Sequence, residues 1–466
     1  MKKNFKKIFV LDTNILLNDA KIIKKFSEDG ENLIVLPETV IDELDSKKSL
    51  IREEIGFQSR LFGRILQNAK MQKKVNAGKS KNISIVPITV DKMCIHIISF
   101  QNYDLKEIYD KTVLNDRKII KVASFVSEYY GNKENTFLIS EDIMCRIRAM
   151  SFGVNTEGMN SKENIDFNFI KTLEYPSNQF DKLPLLSILD IDPEHKITDY
   201  CYIFKDSDNA WEKYGIIKNG LIHIIDENEL RKSDIKPLNV GQMFAVKGLL
   251  ESYDISIIEA KSGSGKNLLA ISSAMRLIDK KQFQRIIYLR NSIPSVEKNA
   301  EIGFLPGDQS EKMKIFNHPL FDTIAFIASE GLKKKKEYKE GDHKISQELL
   351  EEKIEGLINK YQIEPQWIGE LRGRTLSDAI VIIDECQNIS IGSLNTILTR
   401  IGKNSKVIAI GSNSQIDNSF VSVNSNGLTK LLSLANKEYE NISVFATNLE
   451  KSVRGPIVEF AEEYIV

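Results

Sequence analysis

The sequence has no run approaching the roughly 18 consecutive apolar residues that a membrane-spanning helix requires. Its N-terminus, MKKNFKKIFVLDTN, is basic and then apolar for only four residues before Asp12 interrupts it, too short a run for a secretory signal. Cysteine is scarce: Cys94, Cys145, Cys201 and Cys386 lie far apart without metal-ligand spacing, and the five scattered histidines add none. Net charge is almost absent, with 64 basic against 65 acidic residues, so any polyanion must be met by a local patch rather than a global field. These absences predict a protein of the reducing cytoplasm with no membrane partner. No internal repeat is visible.

What is present is length. At 466 residues the chain exceeds one ordinary core, and roughly 100 to 200 residues per domain suggests two or three. Over residues 1–165 short apolar runs (KIFVL, LIVLP, TFLIS) alternate with helical patterns, which favours a parallel α/β sheet. The apolar spacing after LIVLP predicts one helix over residues 38–66, and another is expected over 116–130, ended by Gly131. Residues 166–232 change character. Pro176, Pro184 and Pro193 punctuate CYIFKD, YGIIKNG and LIHIID, and Asn219-Gly220 between two apolar runs is a hairpin signal, so a small β-rich connector is expected. From 233 to 466 the runs ISIIEA, RIIYL, AIVIID, KVIAIG and SVFAT predict the buried strands of a second α/β domain. The charge run over residues 332–344 reads as a solvated insertion.

In the first domain Asp12 falls where a strand ends, in VLDTN, and Asp142 just past a later strand, in LISEDIM. Ligands of open parallel sheets bind outside the carboxyl ends of strands, so both acids are expected on one edge. Glu43 lies on the helix after LIVLP and Asp116 opens a later helix, which brings four acids around one cavity. Clustered carboxylates repel one another, and one or two Mg²⁺ or Mn²⁺ ions would resolve the repulsion and activate water. Taken singly, Asp116 also reads as a helix cap, Asp142 as a turn residue and Glu43 as part of a solvated face, with Asp42 and Asp45 beside it. Together VLDTNILL, VIDELD, NDRKIIKVA and LISEDIMCRIRAMSFGV resemble, in order, the motifs of PIN-domain ribonucleases. The resemblance implies divalent-metal ligation by Asp12, Glu43, Asp116 and Asp142, support from Thr13, Asn14 and Ser140, and cleavage of single-stranded RNA.

The stretch ISIIEAKSGSGKNLLAISSAMRLI, residues 255–278, has the strand, loop and helix order of a phosphate-binding loop. Backbone N–H groups around Ser262, Gly263, Ser264, Gly265 and Lys266 would form an anion cradle at a helix N-terminus. Downstream, SDAIVIIDECQNIS is an apolar strand ending in Asp384-Glu385, suited to a magnesium-associated carboxylate and a water-activating base. The arrangement resembles superfamily 1 helicases and, more closely, the PhoH family, through KPLNVGQMFAV, RNSIPSVEKNAEIGFLPGDQSEKM, LRGRTLSDAIVIIDECQN, SQID and SVRGPIVEF. That resemblance implies a RecA-like P-loop ATPase fold. It also implies that Gln242 contacts adenine, Lys266 the phosphates, Asp384 the Mg²⁺, Glu385 the attacking water, Gln415 the γ-phosphate region and Arg454 the transition-state charge, in a homohexameric ring. Arg290, Arg372 and Arg374 are weaker candidates for phosphate or RNA contacts. Three positions depart from the pattern: Ala260 replaces the first loop glycine, Asn267 the metal-binding hydroxyl residue, and Ser412 the aspartate of G-D-x-x-Q.

The expectation is therefore an α/β protein with a PIN-like domain, a β-rich connector and a P-loop ATPase domain. Its expected function is a metal-dependent endoribonuclease coupled to an ATP-driven ring that unwinds or feeds single-stranded RNA. Two rivals stand beside it: a ribonuclease whose ring binds nucleotide with little or no hydrolysis, and a non-catalytic RNA-binding scaffold.

Overall fold

The computed structural model describes residues 5–50, 54–77, 82–101, 111–158, 168–206, 211–231, 236–290, 318–334, 346–371, 373–418, 421–423, 425–453, 455, 457 and 460. Two compact units emerge, Met1–Asn164 and Ile165–Val466. Arg372, Arg454, most of the 332–344 charge run and nearly all of RNSIPSVEKNAEIGFLPGDQSEKM lie outside the described residues.

The first unit contains strands β1 (Ile8–Leu11), β2 (Leu33–Pro37), β3 (Lys70–Met71), β4 (Val75–Ala77), β5 (Ile83–Val90), β6 (Met93–Phe100), β7 (Thr136–Ile139) and β8 (Asn155–Glu157). Its helices are α1 (Thr13–Asn18), α2 (Ile22–Ser27), α3 (Glu38–Lys47), α4 (Glu54–Ile65), α5 (Lys111–Tyr129) and α6 (Ile143–Ser151). One sheet runs β3-β5-β6-β2-β1-β7-β8, with β4 also on β5. It is parallel from β6 to β8 and antiparallel where β5 meets β3, β4 and β6. Every residue of β1 and β2 is buried, which is why both read as unbroken apolar runs. Leu11 pairs with Ile139, so Asp12 and Ser140 leave the sheet side by side.

Several elements differ from the sequence expectation. The helix expected to open at Asp116 begins at Lys111, so Asp116 lies inside α5 and is not its cap. The single helix over 38–66 is two helices, α3 and α4. Arg60 Nη1 donates to the carbonyls of Lys48 (2.8 Å) and Leu50 (3.3 Å), and a Cβ on Gly56 would lie 1.9 Å from the Leu50 oxygen. That glycine admits the returning chain. The hairpin β5–β6, which turns at Asp91 with φ 51°, was not expected, because its turn lacks the glycine that marks most tight hairpins.

In the second unit, β9 (Ile170–Glu174), β10 (Cys201–Lys205), β11 (Glu212–Lys218) and β12 (Leu221–Ile224) form a four-stranded sheet in the order β12-β11-β10-β9. Asn219 and Gly220 both take positive φ (52° and 73°) between β11 and β12, as the hairpin signal requires. Successive residues of β10 face opposite ways: Cys201 joins the large core with Phe244 and Phe445, and Tyr202 joins a small one with Phe180 and Ile222. Tyr200 Oη donates to the Ala435 carbonyl (2.6 Å) and Tyr253 Oη to that of Ile217 (3.0 Å). Residues of the 166–232 region thus pack into the second unit's core.

The larger sheet of this unit contains β13 (Ile255–Ala260), β14 (Arg285–Arg290), β15 (Ile363–Gln366), β16 (Ala379–Asp384), β17 (Lys406–Gly411) and β18 (Val444–Leu449). All its pairings are parallel, in the order β15-β14-β16-β17-β13-β18. The five strands expected from apolar runs are all present, and β15 is added at one edge.

Candidate functional site

In the first unit Asp12 caps α1, and its position is fixed by hydrogen bonds. Thr13 N (2.6 Å), Asn14 Nδ2 (2.9 Å) and Ser140 Oγ (2.6 Å) all donate to its carboxylate. Asp12 is only 6% exposed. Burial, with Asp116 and Glu43 nearby, pushes its carboxyl up to about 6 despite those donors. The Glu43 carboxylate accepts from Thr13 Oγ1 and from Asn115 Nδ2. Of the three neighbouring acids it is the one coupled to Asp12 and Asp116, whereas Asp42 is exposed and Asp45 pairs with Lys48. Burial raises Asp116 too, as do Asp142 and Glu43, while Arg148 Nη1 donates to it and opposes the rise. Asp142 caps α6, accepting from Met144 N (2.7 Å) and Cys145 N (3.2 Å).

The four acids are thus electrostatically coupled without closing into one tight shell. Among the described residues, the group of three metal-ligand side chains whose ligand atoms all lie within 4.8 Å is Asp192, His195 and Asp199 in the second unit. There Lys171 Nζ already sits 2.6 Å from Asp192 and 3.6 Å from Asp199, so the chain supplies its own cation.

In the second unit β13 delivers the loop 261–265 to helix α7, as we number it here (Lys266–Asp279). Left-handed backbone falls on Gly263 (φ 66°) and Gly265 (φ 85°). Ala260 ends β13 in extended conformation and needs no such freedom. Gln242 is buried with both ends of its amide in use: Nε2 donates to the Ser264 carbonyl (2.9 Å) and Oε1 accepts from Leu238 N (2.7 Å). It braces the loop from behind. Val453 N donates to the Gly263 carbonyl (2.9 Å), tying the C-terminal segment to the same loop.

Lys266 Nζ lies 3.3 Å from Glu385 Oε1. Asp384 is fully buried, and burial with the Glu385 charge holds its carboxyl above the usual range, against the pull of Tyr288, Lys266 and Arg290. Tyr288 Oη donates to Asp384 Oδ2, Asn267 Nδ2 reaches the same oxygen at 3.2 Å, and Arg290 Nε lies 3.9 Å away. Asn267 Oδ1 is buried with no hydrogen-bond partner. Glu385 takes a left-handed backbone (φ 51°), a conformation rare outside glycine and concentrated at functional positions. Gln387 Nε2 donates to Glu385 Oε2 (2.6 Å) and to the Gln415 carbonyl (2.8 Å), and Ser412 N donates to Gln387 Oε1 (3.0 Å). Ser412 Oγ itself lies 2.9 Å from Ser414 Oγ. Arg374 is exposed.

Comparison with known proteins fits this two-part geometry. The PIN domain family matches residues 9–160, and the PhoH-like protein family matches residues 234–465. The chain is a PIN domain fused to a PhoH-family domain. Among its relatives, Protein PhoH2 of Bacillus subtilis is 29% identical over 443 residues, covering 91% of this chain and 92% of that protein. Protein PhoH2 of Mycolicibacterium smegmatis is 23% identical over 468 residues, covering 98% and 96%.

The pairing supports a nuclease-type activity joined to an ATPase-type one, since PIN domains in general depend on divalent metal and PhoH domains bind nucleotide. The residues present fit both groups. In the PIN domain the donors are carboxylates and hydroxyls, hard oxygen ligands, and the raised Asp12 and Asp116 carboxyls mark negative charge that Arg148 offsets only in part. In the PhoH domain the unpartnered Asn267 Oδ1 beside Asp384 is a buried acceptor that a cation would satisfy. Asn115, Arg148, Tyr288 and Gln387 were not singled out from sequence. Asn115, Arg148 and Gln387 sit inside or beside quoted motifs, but only tertiary pairing reveals their partners. Among the described residues, no helix is long and apolar enough to cross a membrane.

Proposed function

We propose that this protein is a metal-dependent endoribonuclease for single-stranded RNA, coupled to an ATP-driven ring that unwinds or feeds its substrate. The observation that carries the nuclease reading is the coupling of Asp12, Glu43 and Asp116 at the carboxyl edge of a parallel sheet. Asp12, Glu43, Asp116 and Asp142 would hold Mg²⁺ or Mn²⁺, which supplies an activated water and neutralises the departing oxygen of a phosphodiester. Ser140 and Asn14 orient Asp12, and Thr13 and Asn115 orient Glu43, so the ligands are set before metal arrives. Arg148 shields Asp116 and keeps the edge tolerable to a phosphate.

In the ring the loop amides and Lys266 would grip ATP phosphates, with Lys266 exchanging Glu385 for the ligand. Glu385, steadied by Gln387, is the water-activating base of this reading. Asp384 and Asn267 Oδ1 would share the metal. Arg454 is assigned the transition-state charge and a hexameric assembly is assigned to the ring by family resemblance.

A second reading has its own observation. Asn267 directs its amide donor, not an oxygen, at Asp384, and Ser412 meets Ser414 where the family pattern has an acid. This favours a ring that binds nucleotide but turns it over slowly. RNA cleavage and phosphate release measured together on wild type, Asp12→Asn and Lys266→Ala separate the readings. Cleavage lost in Asp12→Asn and on chelation supports the nuclease; cleavage surviving both leaves an RNA-binding scaffold. Phosphate release no faster than in Lys266→Ala removes the motor.

A further inference from the structure

Helices α5 and α6 lie against each other in the first unit, and Arg148 of α6 donates to Asp116 of α5. Beside that pair a cavity of about 260 Å³ opens, lined by Arg117, Ile120, Lys121, Ser124 and Phe152. Ile120 is one turn beyond Asp116 on α5, and Phe152 one turn beyond Arg148 at the end of α6, so the cavity begins about 6 Å along the helices from the carboxylate cluster.

Phe152 has no structural task at that helix end. Val154 N bonds back to the Ala149 carbonyl (3.1 Å), Gly153 N to that of Met150 (2.9 Å), and Gly153 has φ 70°. This is the glycine-terminated closure in which the hydrophobic seal falls on Val154 and Ala149, both buried. Phe152 remains 61% exposed. An open aromatic ring, an apolar wall at Ile120 and cations at Arg117 and Lys121 together suit a ligand with a flat apolar face and negative charge. Single-stranded nucleic acid has both, and bases stack on aromatic side chains without sequence demand. A protein partner would gain little from the two cations beside so small a cavity.

Resting on the nuclease reading, we propose that this groove is a subsite for a nucleotide flanking the scissile phosphate, with its base on Phe152 and its phosphates held by Arg117 and Lys121. The full chain would be assayed with a short oligoribonucleotide and Mn²⁺. Phe152→Ala should raise KM about tenfold with kcat nearly unchanged, and Phe152→Trp should restore it. Arg117→Ala with Lys121→Ala should raise KM and flatten its dependence on salt. Unchanged KM in Phe152→Ala overturns the subsite, as does a changed oligomeric state in that variant, which would assign the ring to an interface between proteins. If wild type cuts no RNA, the nuclease reading fails separately. Photo-crosslinking of a 5-iodouridine oligoribonucleotide to the chelated Asp12→Asn chain still decides the subsite: a crosslink at Phe152 supports it and none there overturns it.

Discussion

The two units treat buried carboxylates in opposite ways. In the PIN domain, Asp12 and Glu43 are surrounded by hydroxyl and amide donors, and among the described residues Asp116 is the one of the four site acids paired with a cation, Arg148. In the PhoH domain the acids have internal counter-charges: Lys266 beside Glu385 and Arg290 near Asp384, with Tyr288 donating to Asp384. Neutral donors orient a carboxylate yet leave its charge, so the first site favours a cation continuously. The second is balanced at rest, and ligands entering it must displace a partner. A site whose charge is left open and a self-compensated one therefore predict different responses to mutation and pH.

The largest effect tests orientation in the PIN domain. Ser140→Ala removes the donor that joins Asp12 to β7 and should lower metal affinity and cleavage by about 10–100-fold, read by Mn²⁺ titration of cleavage. Equal cleavage at all Mn²⁺ concentrations would mean that the neutral donors do not prepare the site. The next effect is pH. Because Asp12 is raised from 3.8 to about 6, protons compete with metal below that value, and apparent Mn²⁺ affinity should fall about tenfold per pH unit there. In chelated protein the sign reverses for stability. Between about pH 4 and 6 the folded carboxyl holds a proton that the unfolded one has lost, so stability is gained as pH falls through that window. Urea midpoints of the chelated protein at pH 4.5 and 7, against Asp12→Asn, measure it.

A smaller change sharpens the PhoH side. Asn267→Thr replaces an amide that donates to Asp384 with a hydroxyl able to face metal, and should raise ATP hydrolysis about fivefold, the worth of one neutral contact. No increase in steady-state phosphate release would move the limitation to Ser412.

These sites differ in how far the sequence disclosed them. β1, β2, β7, β13, β14, β16, β17 and β18 are legible because strands buried on both faces are unbroken apolar runs. The places of Asp12, Asp142 and Asp384 at or just past strand ends, and of Lys266 at the helix start after a glycine-rich loop, follow from local pattern. The β5–β6 hairpin escaped because its turn has no glycine, and α3 and α4 read as one helix because helical apolar spacing runs through the turn between them. The supporting residues escaped for a different reason. Asn115 meets Glu43 72 positions away, and Tyr288 meets Asp384 across 96, so no local pattern encodes either pairing.

A last test asks whether the second unit satisfies its buried charges internally as a habit. Lys406, 2% exposed, donates from Nζ to the carbonyls of Glu251 (2.9 Å) and Tyr253 (2.8 Å), and burial pulls its amine down to about 7 from 10.5. Between those values the unfolded chain binds a proton that the folded one does not, so stability rises with pH, by at most about 1.4 kcal/mol per unit. Both tryptophans, Trp211 and Trp367, belong to the second unit, so their fluorescence reports its unfolding alone. Urea midpoints should climb from pH 7 to 9 in wild type and climb less in Lys406→Met. Equal slopes would mean that the two carbonyls hold the amine charged at no cost, extending to a lone buried cation the compensation seen around Asp384.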